Sequence, residues 1–334
     1  MTTTILFAGG EDSEFSPVGG SSAVGTASGF FRSSYARCYL EVQTTPSDHG
    51  WHSQLGFSAS TLWFSARHLT TGSASGGWDN APCLTFYDAS AIPRIRLRAN
   101  QSAGTYHFEK LDSTGAETQL GAAFTFSNDG VSIDKLDVFI HDDASGAIQF
   151  YVNGILVMSF SGDTTTDSVS TLTSVRLGCF FQSSSKHSRW SEIIVADGDT
   201  RSMSLQTLAP VANGNTHNFD VGSPAASNVN EVTLNDLTID GSDTAGQIDQ
   251  YTIPSIVGGT FSIVAFGVSA RLAKQSTGPS KMDLNVRSSS TDYFSSDKSL
   301  TTSFALYQNW WATDPATSAA WAALPVNIGL KSVT

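Results

Sequence analysis

Residues 147–160 read AIQFYVNGILVMSF, two runs of alternating side chains separated by Asn153-Gly154. Ile148, Phe150 and Val152 fall on one side of an extended chain and Gln149 and Tyr151 on the other, which is the period of a half-buried strand. Beyond the break, Ile155, Val157 and Ser159 alternate with Leu156, Met158 and Phe160. A two-residue type I′ turn needs positive φ at both central positions, and Asn-Gly supplies it at little steric cost. The stretch predicts a β-hairpin, and with it an antiparallel sheet.

Working outward, the first two hundred residues continue in the same manner. RCYLEVQT (37–44), LWFSARHL (62–69), CLTFYD (83–88), RIRLRAN (94–100), TYHFEKL (105–111), LDVFIHD (136–142), SVRLGCFF (174–181) and WSEIIVAD (190–197) are strand-like and are bounded by Gly, Ser and Asp turns. Many short strands at close spacing predict an all-β, two-sheet antiparallel sandwich. Alternation lapses in residues 197–217, which carry Gly, Pro and Asn, and a domain boundary is expected there. The organisation read from this is a sandwich over residues 1–200 and a smaller β-sandwich over 201–334. In the second block KMDLNVR (281–287) alternates cleanly, and TSAAWAAL (317–324) is expected to form a short helix between Pro315 and Pro325.

Composition agrees with this and excludes some functions. Eighteen Lys and Arg against thirty Asp and Glu give a net charge of −12, which argues against a nucleic-acid-binding face. No apolar run is long enough to span a bilayer, and MTTTILFAGGEDSEF lacks the basic start of a secretion signal, so synthesis in the cytoplasm without export is expected. Cys38, Cys83 and Cys179 are odd in number and far apart, which reads as buried free thiols. There is no Gly-x-Ser-x-Gly, His-Glu-x-x-His, phosphate-binding Gly loop or Cys-x-x-Cys, which lowers the expectation of an enzyme.

Four groups of residues remain as candidates. In IPRIRLRAN, Ile95 and Leu97 point inward and set Arg94, Arg96 and Arg98 on the other face, a basic stripe. It suits either acidic partners outside the sheet or acids on the neighbouring strands. Trp78, in the Gly-rich SGGWDNAP, is the best placed of seven tryptophans to stack on a sugar ring. Trp310 and Trp311 put one ring on each side of an extended chain and suggest a domain or subunit interface. In SDHGWHSQ, His49 and His52 with Asp48 form a possible metal or acid/base set, although a spacing of three sends the two imidazoles to opposite faces of a strand.

Two parts of the chain resemble known families. LDVFIHDDASGAIQFYVNGILVMSFSGD (136–163), followed by LTSVRLGCFF and RWSEIIVAD, resembles concanavalin A-like and laminin-G-like sandwiches, which implies a jelly roll for residues 1–200. WSEIIVADGDTRSMSLQTLAP, NEVTLNDL and TDYFSSDKSLTTSFALYQNWWATDPATSAAWAALPVNIGLKSV, spread over 189–334, resemble tailed-bacteriophage virion proteins that follow a lectin-like sandwich with a second small domain. The resemblance implies a non-enzymatic virion component of tail, tail tip or head decoration. It also implies contacts with other virion proteins and with copies of itself, and a lectin-like domain turned toward a host-surface glycan. Lectin-like sandwiches sometimes hold Ca²⁺ in acidic loops, so Asp142 and Asp143 in HDDASG and Asp240 and Asp243 in IDGSDTAG are candidates for that ion, with tight turns as the simpler reading. A glycan-binding adhesin is the alternative, and a glycan-cleaving enzyme a further one. Its carboxylates would come from Glu11, Asp12 and Glu14 in GEDSEF, which reads more simply as a solvated loop.

Overall fold

In the computed structural model the hairpin closes on Asn153 and Gly154, with φ of 51° and 81°, between facing Val152 and Ile155. Asn153 does more than tolerate the turn. Its Oδ1 accepts from the Lys135 amide at 2.8 Å and its Nδ2 donates to Asp134 Oδ1 at 2.8 Å. Asn153→Ala loses both bonds and adds a left-handed alanine, so it should cost about 2–3 kcal/mol in urea unfolding. The alternation expected beyond the turn is interrupted by one residue. Phe150 faces Met158 but Tyr151 faces Leu156, so Val157 is the extra residue of a bulge. Met158 is thereby returned to the core, and Ile155 and Leu156 are left 70% and 49% exposed.

The structure describes residues 3–19, 22–26, 31, 35–43, 50–71, 81–100, 104–125, 132–179, 187–222, 225–232, 235–256 and 261–334. The chain is all-β and divides into a larger unit, Ile5–Gln206, and a smaller one, Met1–Thr4 with Thr207–Thr334. With strands numbered in chain order, the larger unit has an eight-stranded antiparallel sheet. It runs β13 (Ile155–Ser161), β12 (Ala147–Val152), β11 (Asp134–His141), β6 (Thr61–Thr71), β15 (His187–Ala196), β4 (Cys38–Gln43) and β3 (Ser22–Thr26), with β1 (Ile5–Gly9) also on β15. A seven-stranded sheet runs β10 (Glu117–Phe124), β9 (Thr105–Leu111), β8 (Pro93–Asn100), β7 (Ala81–Tyr87), β14 (Ser174–Leu177), β5 (Gly50–Ser53) and β2 (Phe15–Val18). Sequence-distant strands lie side by side in both, so neither sheet is a simple meander.

Alternation decides what fills the space between the sheets. Leu62, Phe64, Val138, Ile148, Phe150 and Trp190 from one sheet meet Phe15, Leu84, Phe86, Ile95, Leu97 and Phe108 from the other. The contact is aromatic edge to face, Phe64 on Phe86 at 5.9 Å and Phe108 on Phe150 at 6.0 Å. The three cysteines are buried as thiols, outside any disulfide.

The smaller unit packs a six-stranded antiparallel sheet and a two-stranded ribbon around one core. The sheet runs β16 (Ala212–His217), β17 (Ile248–Thr252), β23 (Asn327–Val333), β19 (Lys281–Ser288) and β20 (Thr291–Phe294), with β21 (Lys298–Ser299) also on β19. The ribbon pairs β18 (Phe266–Leu272) with β22 (Ala305–Trp311). Met282, Leu284 and Val286 of β19 pack with Val268, Leu272 and Trp321. The helix expected at TSAAWAAL does not form. Ser318 takes a φ of 58°, Trp321 bridges Ile263, and its Nε1 donates to the Trp311 carbonyl at 2.8 Å. Burying that indole requires a turn to bring it inward, and helix propensity yields to it.

Candidate functional site

Two of the groups singled out by the sequence, the arginine stripe and His52, lie on one surface, the outer side of the seven-stranded sheet. Register places Gln119 opposite Glu109, Glu109 opposite Arg96, Arg96 opposite Thr85, Thr85 opposite Arg176, Arg176 opposite His52 and His52 opposite Ser16. Directly opposed residues share a face, so this is one polar row across all seven strands, about 29 Å at the usual strand spacing. The next row, with Leu120, Phe108, Leu97, Leu84, Leu177 and Trp51, points into the core and fixes the first row outward.

The arginine stripe lies on this face, and each of its three guanidiniums is paired with an acid of the larger unit. Arg98 forks onto Glu117, Nη1 to Oε2 at 2.7 Å and Nη2 to Oε1 at 2.9 Å, with Nε 3.3 Å from Glu109 Oε1. Arg96 Nη1 reaches Glu109 Oε1 at 3.2 Å and Glu117 Oε1 at 3.4 Å. Of the two readings the sequence allowed, the acids across the ladder are the ones met. Arg94 departs further from the expected exposed stripe. At 4% exposed it donates through Nε to Asp88 Oδ2 at 2.8 Å and through Nη1 to Asp167 Oδ2 at 2.7 Å, and it serves as a buried clasp between loops.

His52 occupies the opposite end of the row. Its Nε2 lies 2.8 Å from Ser174 Oγ, its ring is 4.9 Å from the Tyr87 ring, and the Arg176 guanidinium is 5.7 Å from the centre of Tyr87. Burial, then the Arg176 charge, hold the imidazole below its ordinary pKa, so it is uncharged at neutral pH. The face therefore has an ionic end at Arg96, Arg98, Glu109 and Glu117 and an aromatic-imidazole end at His52 and Tyr87. Tyr87, Arg176, Ser174, Glu109 and Glu117 were not singled out from sequence, although Arg176 between Val175 and Leu177 carries the same inward-outward signal as the arginine stripe.

The remaining candidates separate. Trp78, His49 and Asp48 lie outside the described residues. Trp311 packs against the smaller unit's core, while Trp310 lies over Gly267 on the neighbouring strand, where a Cβ would come within 2.5 Å of the ring. Asp143 is a turn residue, its Oδ1 accepting from the Ser145 amide and hydroxyl at 2.9 Å each. Asp240 is engaged by the Tyr251 hydroxyl at 2.6 Å, by Asn228 Nδ2 at 2.7 Å and by the Ala225 amide, and the Asp243 amide donates to Asp220. Asp142 differs. It is 1% exposed, and burial pushes its pKa up to about 7 against the opposing effect of the Thr164 hydroxyl. Among the described residues no group of three or more His, Cys, Asp or Glu is arranged to hold a metal ion.

GEDSEF is not the solvated loop expected of it. Asp12–Glu14 form a 3-10 turn with both acids buried, Glu14 Oε2 accepting from the Gly10 and Glu11 amides at 2.7 Å each. Glu11 pairs with Arg37 at 3.0 Å, yet burial pushes its pKa up to about 8. The signal missed was Phe15, whose inward anchor draws the turn down with it.

Fold and face together define a two-unit all-β protein whose larger sandwich presents a polar, arginine-containing outer sheet. No family model matches the sequence, and no curated protein does. Among solved structures it is similar to an endo-β-1,4-glucuronan lyase from the fungus Trichoderma reesei, at 10% identity and a TM-score of 0.40 over 58% of this chain and 91% of that one. A carbohydrate-binding module from Bacillus subtilis matches at 13% identity and 0.37, over 55% and 95%. The T. cruzi calreticulin globular domain matches at 11% identity and 0.42, over 59% and 90%. At these scores the likeness carries no argument about activity.

Proposed function

We propose that the chain is a non-enzymatic glycan-binding attachment protein whose contact surface is the outer face of the seven-stranded sheet. The observation that supports this is the open end of the polar row, where exposed Gln119 and Glu117 stand beside the Arg98–Glu117 fork, Glu109, Thr85 and Arg176 farther along being buried. A sugar offers hydroxyls that both donate and accept, together with C–H faces. A rigid sheet bearing fixed donors and acceptors suits the hydroxyls of such a ligand. The virion role implied by the 189–334 resemblance is compatible with this reading, the smaller unit then serving as the anchor. Immunogold labelling of density-purified particles tests that location.

The direct test is binding of the full chain to a polysaccharide panel by isothermal titration. Arg98→Gln removes the fork and leaves Glu117 exposed, and it should weaken binding about tenfold. An unchanged affinity would move the contact surface elsewhere. Cleavage is a second reading, favoured by an uncharged His52 next to Tyr87, but Tyr87 and Arg176 are both under 10% exposed. Release of an unsaturated sugar product, followed by ultraviolet absorbance and lost in His52→Ala, would put it first.

A further inference from the structure

We propose that the ligand of this face is an uncharged glycan and not a uronic-acid or sulfated one. The inference rests on the glycan-binding reading above and adds the chemical class of the ligand.

Arg94, Arg96 and Arg98 meet the carboxylates of Asp88, Asp167, Glu109 and Glu117, while Arg176 stands opposite Thr85 with its guanidinium 5.7 Å from the centre of the Tyr87 ring. Three guanidiniums thus face four carboxylates, and with Arg176 counted the formal charges of these eight residues cancel. A protein that selects a polyanion concentrates unneutralised cations along its track. Here the chain has placed its arginines beside acids instead.

Geometry strengthens the point. Guanidinium recognises a sugar carboxylate best through two parallel N–H···O bonds. Arg98 already makes that fork with Glu117, and Arg94 is buried between Asp88 and Asp167. Arg96 lies within 3.4 Å of both Glu109 and Glu117. An incoming carboxylate would also meet Glu117, which at 39% side-chain exposure is the most open charged group of the ladder. Like charges placed together on a surface repel.

A hydroxyl meets no such obstacle. It can donate to a Glu117 oxygen while accepting from an Arg98 N–H, joining the ion pair without displacing it. Gln119, exposed on the adjacent position of β10 and opposite Glu109, adds an amide that both donates and accepts. His107 Nε2, 3.4 Å from Glu109 Oε2, closes the ladder on its other side.

The test is isothermal titration of the full chain with galactomannan, xyloglucan and dextran, and with polygalacturonate and alginate, at low and high salt. The expected result is binding to at least one uncharged polymer, with an affinity that changes by less than about twofold with salt, since no net charge is there to screen. Polyuronates should not bind. Glu117→Gln leaves the face with an unmatched guanidinium. It should lose about tenfold in affinity for the uncharged polymer and gain salt-sensitive binding to polygalacturonate, while Arg98→Gln gains none. Melting curves of both variants establish that they are folded. Wild-type binding to polyuronates that weakens steeply with salt would overturn the inference while leaving the glycan-binding reading intact. Failure to bind any polymer would remove the glycan-binding reading itself.

Discussion

Asp137→Ala lowers the stability of the larger unit by about 3–5 kcal/mol, because it leaves an ammonium group buried without its counter-charge. Asp137 is fully buried and Lys135 is 8% exposed, two residues apart on the outer face of β11. Lys135 Nζ donates to Asp137 Oδ1 at 2.9 Å, to the Thr200 carbonyl at 2.8 Å and to the Arg201 carbonyl at 2.8 Å, and the Thr200 hydroxyl donates to Asp137 at 3.1 Å. Burial holds the lysine below its ordinary pKa, and the Asp137 charge opposes that shift. The pair thus fastens residues 200–201 across the sheet and brings the Arg201 guanidinium to 5.2 Å from the Trp63 ring centre and 4.6 Å from that of Tyr151. The reverse experiment separates pairing from mere burial. Lys135→Met with Asp137→Leu removes both charges along with their desolvation penalty, so the double variant should lose less than Asp137→Ala alone. Urea unfolding followed by tryptophan fluorescence measures both. A loss under about 1 kcal/mol for Asp137→Ala would mean that the ammonium escapes to water.

How much of this was legible in the sequence follows from what each feature depends on. The Asn153-Gly154 hairpin was readable because its turn chemistry and both flanking patterns are local. The bulge at Val157 was not, since it is set by which partner Phe150 and Tyr151 find on β13. Strand order was out of reach for the same reason. β6, which ends at Thr71, lies between β11, which begins at Asp134, and β15, which begins at His187, and they are brought to it only by matching buried faces.

The candidate site divides in the same way. Alternation in RIRLRAN correctly turned three arginines away from the core, but it could not say that Glu109 and Glu117 stand opposite them, because that needs the registers of β8, β9 and β10. His52 was considered with His49 as a pair along the chain, whereas its neighbours are Ser174 and Tyr87, both distant in sequence. The acids of GEDSEF misled for a different reason. Their charge suggested water, and the buried Phe15 beside them decided otherwise. Residue type set the expectation in each of these cases, and long-range pairing set the outcome.

The larger unit should also lose stability on acidification through His68, by about 1.4 kcal/mol for each pH unit below its unfolded pKa. His68 follows Leu62, Phe64 and Ala66 on the inward face of β6, fully buried, with its ring 4.6 Å from the Trp190 ring and Nε2 3.1 Å from Ser188 Oγ. Burial pushes its pKa down from 6.5 to about 3. Between those values the unfolded chain holds a proton that the folded one refuses, so the contribution is complete above pH 6.5 and is lost as pH falls. By pH 4.5 the loss is about 2–3 kcal/mol. Glu11 and Asp142 act in the opposite sense. Burial raises their pKa values to about 8 and about 7, so acidification favours the folded state through them and masks His68 in the wild-type curve. Comparison with His68→Gln exposes the term: the stability difference between the two proteins should change by about 1.4 kcal/mol per pH unit between pH 6 and pH 4, the variant gaining ground as pH falls. If the variant folds poorly, the wild-type imidazole can be followed directly by NMR. A His68 resonance that titrates near pH 6 would show that the proton enters the core without unfolding it, and the expected slope would then disappear.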